Sequence, residues 1–300
     1  MLAIIILTHN EERHIARATE MAKKFASEIF VVDSGSVDNT VNLAEAAGAT
    51  VLHHPFVNQA KQFQWALLNA PITADWVMRL DADEYVEPDL AAEIVAKLPS
   101  LSSEICGVNL KRKHIFMGRW IRNGGRYPLV LLRIWRRGTA EIEDRWMDEH
   151  MYLTSGRAVT FGGGFADCNL NDLSYFVDKH NKYATREAVD VLNRRYHLLP
   201  TNETLSAEGS SRQAAFKRFV KERIYNHLPF WLGPLGYFLY RYFFQLGFLD
   251  GRPGLIYHFL QGFWYRFLVG AKICELETAL ANISERDKIA ELSRLTGLKL

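Results

Sequence analysis

Residues 76–84 read Trp-Val-Met-Arg-Leu-Asp-Ala-Asp-Glu, an apolar run that ends in two aspartates one residue apart. Residues 3–7 and 28–32 are two earlier runs of apolar and β-branched residues, and a helical pattern separates them. Strand, helix and strand in succession indicate a parallel sheet and therefore an α/β fold. The two aspartates are predicted to lie at the carboxyl end of a buried strand.

Asp81 and Asp83 form the sharpest chemical signal in the chain. Because side chains alternate along an extended strand, both carboxylates are expected to point the same way. Hard divalent cations prefer oxygen ligands and leave positions for substrate phosphates, so this pair suits Mg²⁺ or Mn²⁺ bound to a nucleotide diphosphate. An isolated Asp-x-Asp is weak evidence, since such pairs occur on many solvated loops.

Two further polar segments strengthen the case for a ligand site. Residues 8–12 and 33–40 directly follow the first two predicted strands. In open α/β sheets the ligand crevice lies beyond the carboxyl ends of the strands, where all three polar segments fall. Asp33 can accept hydrogen bonds from a base or a ribose, and Gly35 lets the backbone turn tightly beside it. The alternative is that Asp33 only caps its own turn.

The segments 8–12 (Thr-His-Asn-Glu-Glu), 31–40 and 80–84 resemble those of glycosyltransferase family 2. The resemblance implies the GT-A fold, which is Rossmann-like with a mostly parallel central sheet. It also implies roles for the residues that match the family motifs. Thr8, Glu11 and Asp33 would hold the uridine of a UDP-sugar, Asp81 would lie near the base or ribose, Asp83 would bind the metal that bridges the diphosphate, and Asn10 and Ala82 would complete the nucleotide-sugar site.

Lys61 is a further candidate for the donor site. It lies in residues 58–62, where relatives place a basic or amide-rich turn close to the nucleotide. Its ammonium group could meet a phosphate, and a solvated lysine at a helix start is an equal alternative.

Glu149 is predicted to be the catalytic base. Inverting transfer needs a base that takes the proton from the acceptor hydroxyl. Residues 144–150 form an acidic cluster after the basic segment, and relatives carry a His-Glu pair at the corresponding place. Asp148 stands where relatives often have the histidine, so it is the rival base, and His150 is a candidate metal or phosphate contact. A purely structural acidic turn is the alternative.

The net charge of +2 hides a segregated charge distribution. Residues 111–138 contain nine lysines and arginines and no acidic residue. Such a segment predicts an anionic partner, and the phosphates of a glycolipid acceptor would supply one. Nucleic acid is the rival anion, but no recognised nucleic-acid-binding motif accompanies the segment. The residues predicted to bind the acceptor are Arg119, Trp120, Arg122 and Arg126.

The aromatic residues are concentrated near the C-terminus, where residues 225–267 hold 16 of the 37. Residues 212–224 alternate basic and apolar side chains in a pattern suited to anionic lipid headgroups. We therefore predict that residues 212–269 contact a membrane surface. The alternative is that the aromatics pack as a helical core or as a contact in a homo-oligomer. A long amphipathic helix is predicted from residue 173 to 192, followed by a polar linker over residues 200–211.

Four segments, residues 172–173, 180–184, 248–254 and 261–266, resemble the lipopolysaccharide-core β-1,4-glucosyltransferase branch of the same family. The resemblance implies a metal-dependent inverting enzyme that moves a hexose from a UDP-sugar to a glycolipid such as lipopolysaccharide core. Because the branch transfers glucose, glucose is the hexose that the resemblance implies. The predicted domains are a catalytic domain over residues 1–170, with a nucleotide-sugar half (1–100) and an acceptor half (101–170), and a helical membrane-associated region over 171–300.

The setting is predicted to be the cytoplasmic face of the inner membrane, with peripheral attachment. Three well-separated cysteines suggest neither a disulfide framework nor a zinc site, which fits a reducing compartment. The rival functions are a polyprenyl-phosphate sugar synthase, a noncatalytic nucleotide-sugar-binding membrane scaffold and a metal-dependent hydrolase.

Overall fold

The computed structural model describes residues 1–143, 149–196, 230–298 and 300. The chain divides into two compact units, Met1–Asn171 and Asp172–Leu300. Asp148, the predicted linker over residues 200–211 and the basic amphipathic segment over residues 212–224 lie outside the described residues.

The first unit begins with alternating strands and helices and ends with strands. Its elements are β1 (Leu2–Thr8), α1 (Ile15–Ala22), β2 (Glu28–Asp33), α2 (Thr40–Ala46), β3 (Thr50–His53), α3 (Gln59–Asn69), β4 (Trp76–Asp81), β5 (Glu84–Val86), α4 (Pro88–Lys97), a 3₁₀ turn (Leu98–Ser100), β6 (Ile105–Phe116), β7 (Arg119–Trp120), β8 (Leu129–Arg136), β9 (Ala140–Ile142), β10 (Met151–Leu153), β11 (Arg157–Thr160) and β12 (Phe165–Cys168).

In the described part of the chain, one sheet holds ten of these strands, in the order β3-β2-β1-β4-β8-β6-β12-β5 with β7 and β11 also paired to β6. β1 runs parallel to β2 and β4, and β2 runs parallel to β3. β8 is antiparallel to both β4 and β6, while β12 is parallel to β6 and antiparallel to β5. The α/β prediction with a mostly parallel central sheet is confirmed. β9 and β10 form a separate antiparallel pair.

The central strand β1 is buried on both faces, which explains its unbroken apolar sequence. Ile4 and Ile6 belong to one core cluster, together with residues of α1 and α4. Ala3 and Ile5 belong to a second cluster, which includes Phe63 of α3. Because both faces are apolar, the polar side chains of this region gather where the strands end.

The expectation that Asp81 and Asp83 point the same way rested on an extended chain, and that premise is wrong. β4 ends at Asp81, and Ala82 and Asp83 form a turn before β5 begins at Glu84. Alternation of side chains holds only along an extended backbone, so the turn gives the two carboxylates different neighbours.

The second unit is helical. Its described elements are α5 (Leu173–Tyr196), α6 (Leu232–Leu239), a π-helical turn (Tyr240–Phe244), a 3₁₀ turn (Gly247–Asp250), α7 (Gly251–His258), a second π-helical segment (Phe259–Trp264), α8 (Tyr265–Leu280) and α9 (Lys288–Thr296). The predicted long amphipathic helix is confirmed as α5, whose Ala188 and Leu192 pack in one cluster with Leu276 and Leu280 of α8. Among the described residues, no helix has the length and apolar character needed to cross a bilayer.

Candidate active site at the carboxyl ends of the strands

Asp33 joins the loops that follow β1 and β2. Its carboxylate, 1% exposed, accepts hydrogen bonds from the Thr8 hydroxyl at 3.2 Å, from the backbone N–H groups of Gly35 and Ser36 at 2.9 Å each, and from the Ser36 hydroxyl. Burial opposes ionisation, but these hydrogen bonds outweigh it and hold the pKa of Asp33 below its ordinary value. Asp33 therefore shapes the loop, and its predicted direct contact with uridine stays a prediction.

The lowered pKa makes the stability of the protein depend on Asp33 and on pH. We expect Asp33→Asn to lower the free energy of unfolding at pH 7 by about 1–3 kcal/mol, because buried donors lose their ionised acceptor. A carboxylate with a depressed folded-state pKa stabilises above its unfolded value of about 3.9, and the contribution is lost as the pH falls through the folded value. Urea denaturation from pH 7 to pH 3 measures both effects.

The control for this substitution is Glu20→Gln, which removes the charge of an exposed carboxylate on α1. The control should keep the pH dependence of the wild type, whereas Asp33→Asn should flatten it. Equal pH dependence in wild type and Asp33→Asn would show that Asp33 is not held ionised in the fold.

Asn10 and Glu11 lie in the same pair of loops. Asn10 has a positive φ of 56°, and its side-chain oxygen accepts a hydrogen bond from the Val37 N–H at 2.9 Å. The Glu11 carboxylate contacts Nδ1 of the buried His14 at 2.6 Å, and His14 Nε2 accepts from the Leu170 N–H at 2.8 Å. The two bonds fix the ring with its proton on Nδ1 and so hold the Glu11 carboxylate in place.

The turn that carries Asp83 is tied to the end of β12. The Asp83 carboxylate accepts a hydrogen bond from the Asn169 amide at 3.0 Å. The Arg17 guanidinium donates to the Asp83 carbonyl at 3.2 Å and to the Cys168 carbonyl at 2.7 Å. Arg17 and Asn169 are site residues that sequence reasoning missed.

Asp81, just before the turn, belongs to a network of buried and partly buried arginines and carboxylates. Arg133 pairs with Asp81 at 3.2 Å and with Glu84, and Arg112 pairs with Glu84 at 3.1 Å. Burial opposes ionisation of Asp81, but the guanidiniums of Arg133 and Arg79 hold its pKa well below its usual range. Burial, reinforced by the charge of Asp81, raises the pKa of Glu84 to about 7 against the pull of Arg133 and Arg112. The Asp81 carboxylate is therefore ion-paired within the protein with 26% of its side chain exposed, and its predicted place near the base or ribose stays a prediction.

Glu149 joins this network. Its side chain is 8% exposed, and Oε1 accepts a hydrogen bond from Arg79 Nη2 at 2.9 Å. Arg79 Nε lies 3.3 Å from Asp81 Oδ1. The structure therefore brings the predicted base to the carboxyl end of β4, although Glu149 and Asp81 are far apart in the sequence.

Most of the basic segment serves internal contacts. In the described residues 111–138, Arg112, Lys113 and Arg133 pair with carboxylates, and Arg136 and Arg137 donate to main-chain carbonyls. The anionic partner of the segment stays a prediction, and these five side chains already have partners in the protein that come from segments distant in sequence. Arg119, Arg122 and Arg126, the predicted acceptor cations, also make contacts within the protein.

The predicted acceptor residues lie in and after β7. Arg119 and Arg122 are exposed, and Arg126 is half-buried. The Arg122 guanidinium lies 5.3 Å from the centre of the Trp120 ring, and the ring meets Tyr127 edge-on at 4.9 Å. Trp120 and Arg122 are therefore brought together as an aromatic and cationic surface.

Lys61 and His150 lie in other surroundings. Lys61 is exposed in the first turn of α3, where its N–H donates to the Asn58 side chain at 2.7 Å. His150 Nδ1 lies 3.6 Å from Glu143 Oε2, and its side chain is 54% exposed. Their predicted phosphate contacts stay predictions.

The carboxylates of the site suit a metal ion that is bound by the protein and by a substrate together. Among the described residues no group of three or more His, Cys, Asp or Glu side chains could hold an ion alone. Mg²⁺ and similar hard cations are commonly held by one or two carboxylates together with substrate phosphates. Asp83, in the turn at the strand end, fits that arrangement.

The family model described as "Glycosyl transferase family 2" matches residues 3–161, which include every strand of the large sheet except β12. The chain belongs to glycosyltransferase family 2. The family resemblance stated from the motifs is thereby confirmed, and the GT-A fold class with it.

Curated relatives of this family 2 glycosyltransferase include two that align over most of their own length. The lipopolysaccharide core biosynthesis glycosyltransferase LpsC of Rhizobium meliloti is 32% identical over 200 residues, which cover 62% of this chain and 70% of that protein. An uncharacterised glycosyltransferase of Rickettsia typhi is 25% identical over 95% of this chain and 91% of its own.

Solved structures resemble part of the glycosyltransferase. The glucosyl-3-phosphoglycerate synthase of Mycobacterium tuberculosis, in complex with Mg²⁺ and UDP, is 23% identical over 37% of this chain, with a TM-score of 0.33. The matched part is 43% of that structure's chain, so the chain spans less than half the length of this neighbour.

Proposed function

We propose that the protein transfers a hexose, glucose in the first instance, from a UDP-sugar to a glycolipid acceptor of the lipopolysaccharide-core type, with inversion at the anomeric carbon. The observation that best supports this proposal is that one guanidinium, that of Arg79, contacts both Asp81 of the Asp-x-Asp motif and Glu149. The candidate base Glu149 thus lies near the strand end where we expect the UDP-sugar to bind. The 32% identity to LpsC, a lipopolysaccharide core biosynthesis enzyme, supports the choice of acceptor.

The mechanism assigns a separate role to each part of the site. Asp83 would hold Mg²⁺ or Mn²⁺, which would neutralise charge on the departing diphosphate. Thr8, Asn10 and Glu11 would orient the nucleotide, with Asp33 shaping their loop. Lys61 would contact a phosphate, and Ala82 would leave room for the sugar beside Asp81.

Glu149 would take the proton of the acceptor hydroxyl as the new bond forms. The acceptor oxygen bonds to C1, the bond from C1 to the UDP oxygen breaks, and UDP leaves from the opposite face. A single displacement on an α-linked donor gives a β-glycoside. Arg119, Trp120, Arg122 and Arg126 would bind the acceptor, with cations for its phosphates and a ring for its sugar.

The test is a donor screen that measures UDP release from several UDP-sugars, with and without truncated-core lipopolysaccharide in detergent micelles. We expect UDP release that depends on the acceptor and is fastest with one UDP-hexose. Release without any acceptor would favour a hydrolase. Release that needs polyprenyl phosphate would favour the lipid-phosphate synthase, and binding of UDP-sugar without turnover would favour a scaffold.

A membrane surface is the second part of the proposal, and its support is the arrangement of the second unit. Between residues 239 and 259 two charged side chains, Arg241 and Asp250, are buried at 4% and 2% exposure, and one, Arg252, is exposed. The exposed side chains there are mostly large and apolar: Leu239, Tyr240, Phe243, Phe244, Leu246, Phe248, Leu249, Leu255 and Phe259. An exposed surface made mostly of large apolar and aromatic side chains suits a lipid interface better than water.

The exposed charges near this aromatic surface are basic. Within the described residues 230–274, Asp250 is the one acidic residue and it is buried, whereas Arg252 is exposed. Arg266 is also exposed, but it pairs with Glu187 of α5 at 3.1 Å. Such a surface is complementary to anionic lipid headgroups. We therefore propose peripheral attachment to the cytoplasmic face of the inner membrane.

We expect the double substitution Phe243→Ser and Phe244→Ser to weaken binding to vesicles of phosphatidylglycerol and phosphatidylcholine by roughly 10- to 100-fold, since two phenylalanines lose their transfer into the interface. Cosedimentation measures the partition. The control is Leu68→Ser, which removes an apolar side chain that is 75% exposed in the first unit. Unchanged vesicle binding by the double variant would contradict lipid as the partner. So would a wild-type protein that self-associates through this surface and a double variant that no longer does.

A further inference from the structure

Arg79 is a charged residue within a buried strand. It lies on β4 two residues before Asp81, and 6% of its surface is exposed. Phe63 of α3 packs against its guanidinium, with the ring centre 5.4 Å from Cζ. A guanidinium is costly to bury, so its retention here requires partners that compensate its charge.

The partners of Arg79 are two carboxylates from different segments. Nε lies 3.3 Å from Asp81 Oδ1, at the strand end, and Nη2 lies 2.9 Å from Glu149 Oε1, just before β10. The planar guanidinium presents donors in fixed directions, so it can set the separation of two carboxylates. A lysine ammonium is a single point charge on a flexible stem and cannot fix both with the same geometry.

We propose that Arg79 is a positioning residue, which fixes the Glu149 carboxylate relative to the donor-binding end of β4 through one guanidinium shared with Asp81. This inference rests on the proposed function, in which Glu149 is the base. Arg79 itself need not touch either substrate, because its buried side chain acts through Glu149. Its removal should therefore harm the chemical step more than donor binding.

The test compares Arg79→Lys with the wild type in the lipopolysaccharide-dependent UDP release assay. We expect kcat to fall about 10²-fold, since small misplacement of a catalytic group costs that much. The dissociation constant for UDP with Mn²⁺, measured by calorimetry, should change by less than about threefold, because the substitution removes no contact to UDP. Hydrogen exchange in the peptide covering residues 149–153 should become faster.

Arg136→Lys is the matched control. Arg136 lies on β8 and pairs with the amino end of β4 at Trp76, whose ring centre is 4.4 Å from the guanidinium carbon. It donates to the main-chain carbonyls of Ile105 and Leu101 and, within the described part of the chain, makes no contact with Glu149. This variant should keep the wild-type kcat.

A double-mutant cycle decides whether Arg79 acts through Glu149. In a Glu149→Gln background, adding Arg79→Lys should lower kcat by less than about twofold, because the group that Arg79 positions has lost its function. Equal fold losses in both backgrounds would overturn the inference, as would an unchanged kcat in Arg79→Lys or an equal loss in Arg136→Lys. Absence of acceptor-dependent release in the wild type would instead refute the proposed function.

Discussion

Glu149→Gln is expected to lower kcat for acceptor-dependent UDP release by about 10³-fold, because general-base catalysis contributes roughly 10²–10⁴ and glutamine cannot accept the proton. Glutamine is nearly isosteric with glutamate, and its side-chain oxygen can still accept a hydrogen bond from Arg79. The fold and donor binding should therefore survive. Initial rates at saturating UDP-glucose and truncated-core lipopolysaccharide, with UDP affinity from calorimetry, separate the two effects.

Glu141→Gln is the control, since Glu141 lies on β9 and its carboxylate accepts a hydrogen bond from the Tyr152 hydroxyl at 2.7 Å. This variant should retain wild-type turnover. Full activity of Glu149→Gln would contradict the assignment of the base. If activity instead fell only in Asp148→Asn, the rival carboxylate would be the base.

A polyprenyl-phosphate acceptor needs little help from a base, so the 10³-fold loss would also argue against that alternative.

Asp83→Asn is expected to lower kcat by about 10²- to 10³-fold, because an electrostatic contact to the departing diphosphate is weakened. Asparagine keeps an oxygen for the Asn169 amide but removes the negative charge that a divalent cation needs. The measurement is a Mn²⁺ titration of UDP affinity. In the wild type Mn²⁺ should tighten UDP binding, and in the variant most of that gain should disappear.

The control for the metal site is Asp75→Asn, an aspartate that pairs with the N-terminal amine at 3.1 Å, just before the amino end of β4. Because it lies at the other end of the strand, Mn²⁺ should still tighten UDP binding in this variant. An equal Mn²⁺ effect in wild type and Asp83→Asn would exclude Asp83 as the metal ligand.

Local sequence patterns predicted the sheet and the location of the site. β1, β2 and β4 are short apolar runs flanked by helices, and parallel strands of this kind are buried on both faces. Their carboxyl ends meet at one edge, so the polar segments after Leu7, Val32 and Leu80 could be placed together before any contact was known. The motifs that carry the family resemblance are these same segments.

The contacts within the site could not be predicted, because they join residues far apart in sequence. Arg79 and Glu84 flank the Asp-x-Asp motif, and a charged residue inside an apolar strand is a local sign of a buried ion pair. That sign does not identify Arg133 or Glu149 as partners. Tertiary contacts likewise engage basic side chains of the segment 111–138, which composition alone could not reveal: Arg112, Lys113, Arg133, Arg136 and Arg137.

Transfer of a hexose to a glycolipid can be observed in the product of the reaction. Purified protein is incubated with UDP-glucose, Mn²⁺ and truncated-core lipopolysaccharide, and the lipid is then analysed by mass spectrometry and proton NMR. We expect one added hexose in β-linkage, formed about 10³-fold more slowly by Glu149→Gln and at the wild-type rate by Glu141→Gln. Free glucose with unmodified lipid, or an α-linked product, would contradict it.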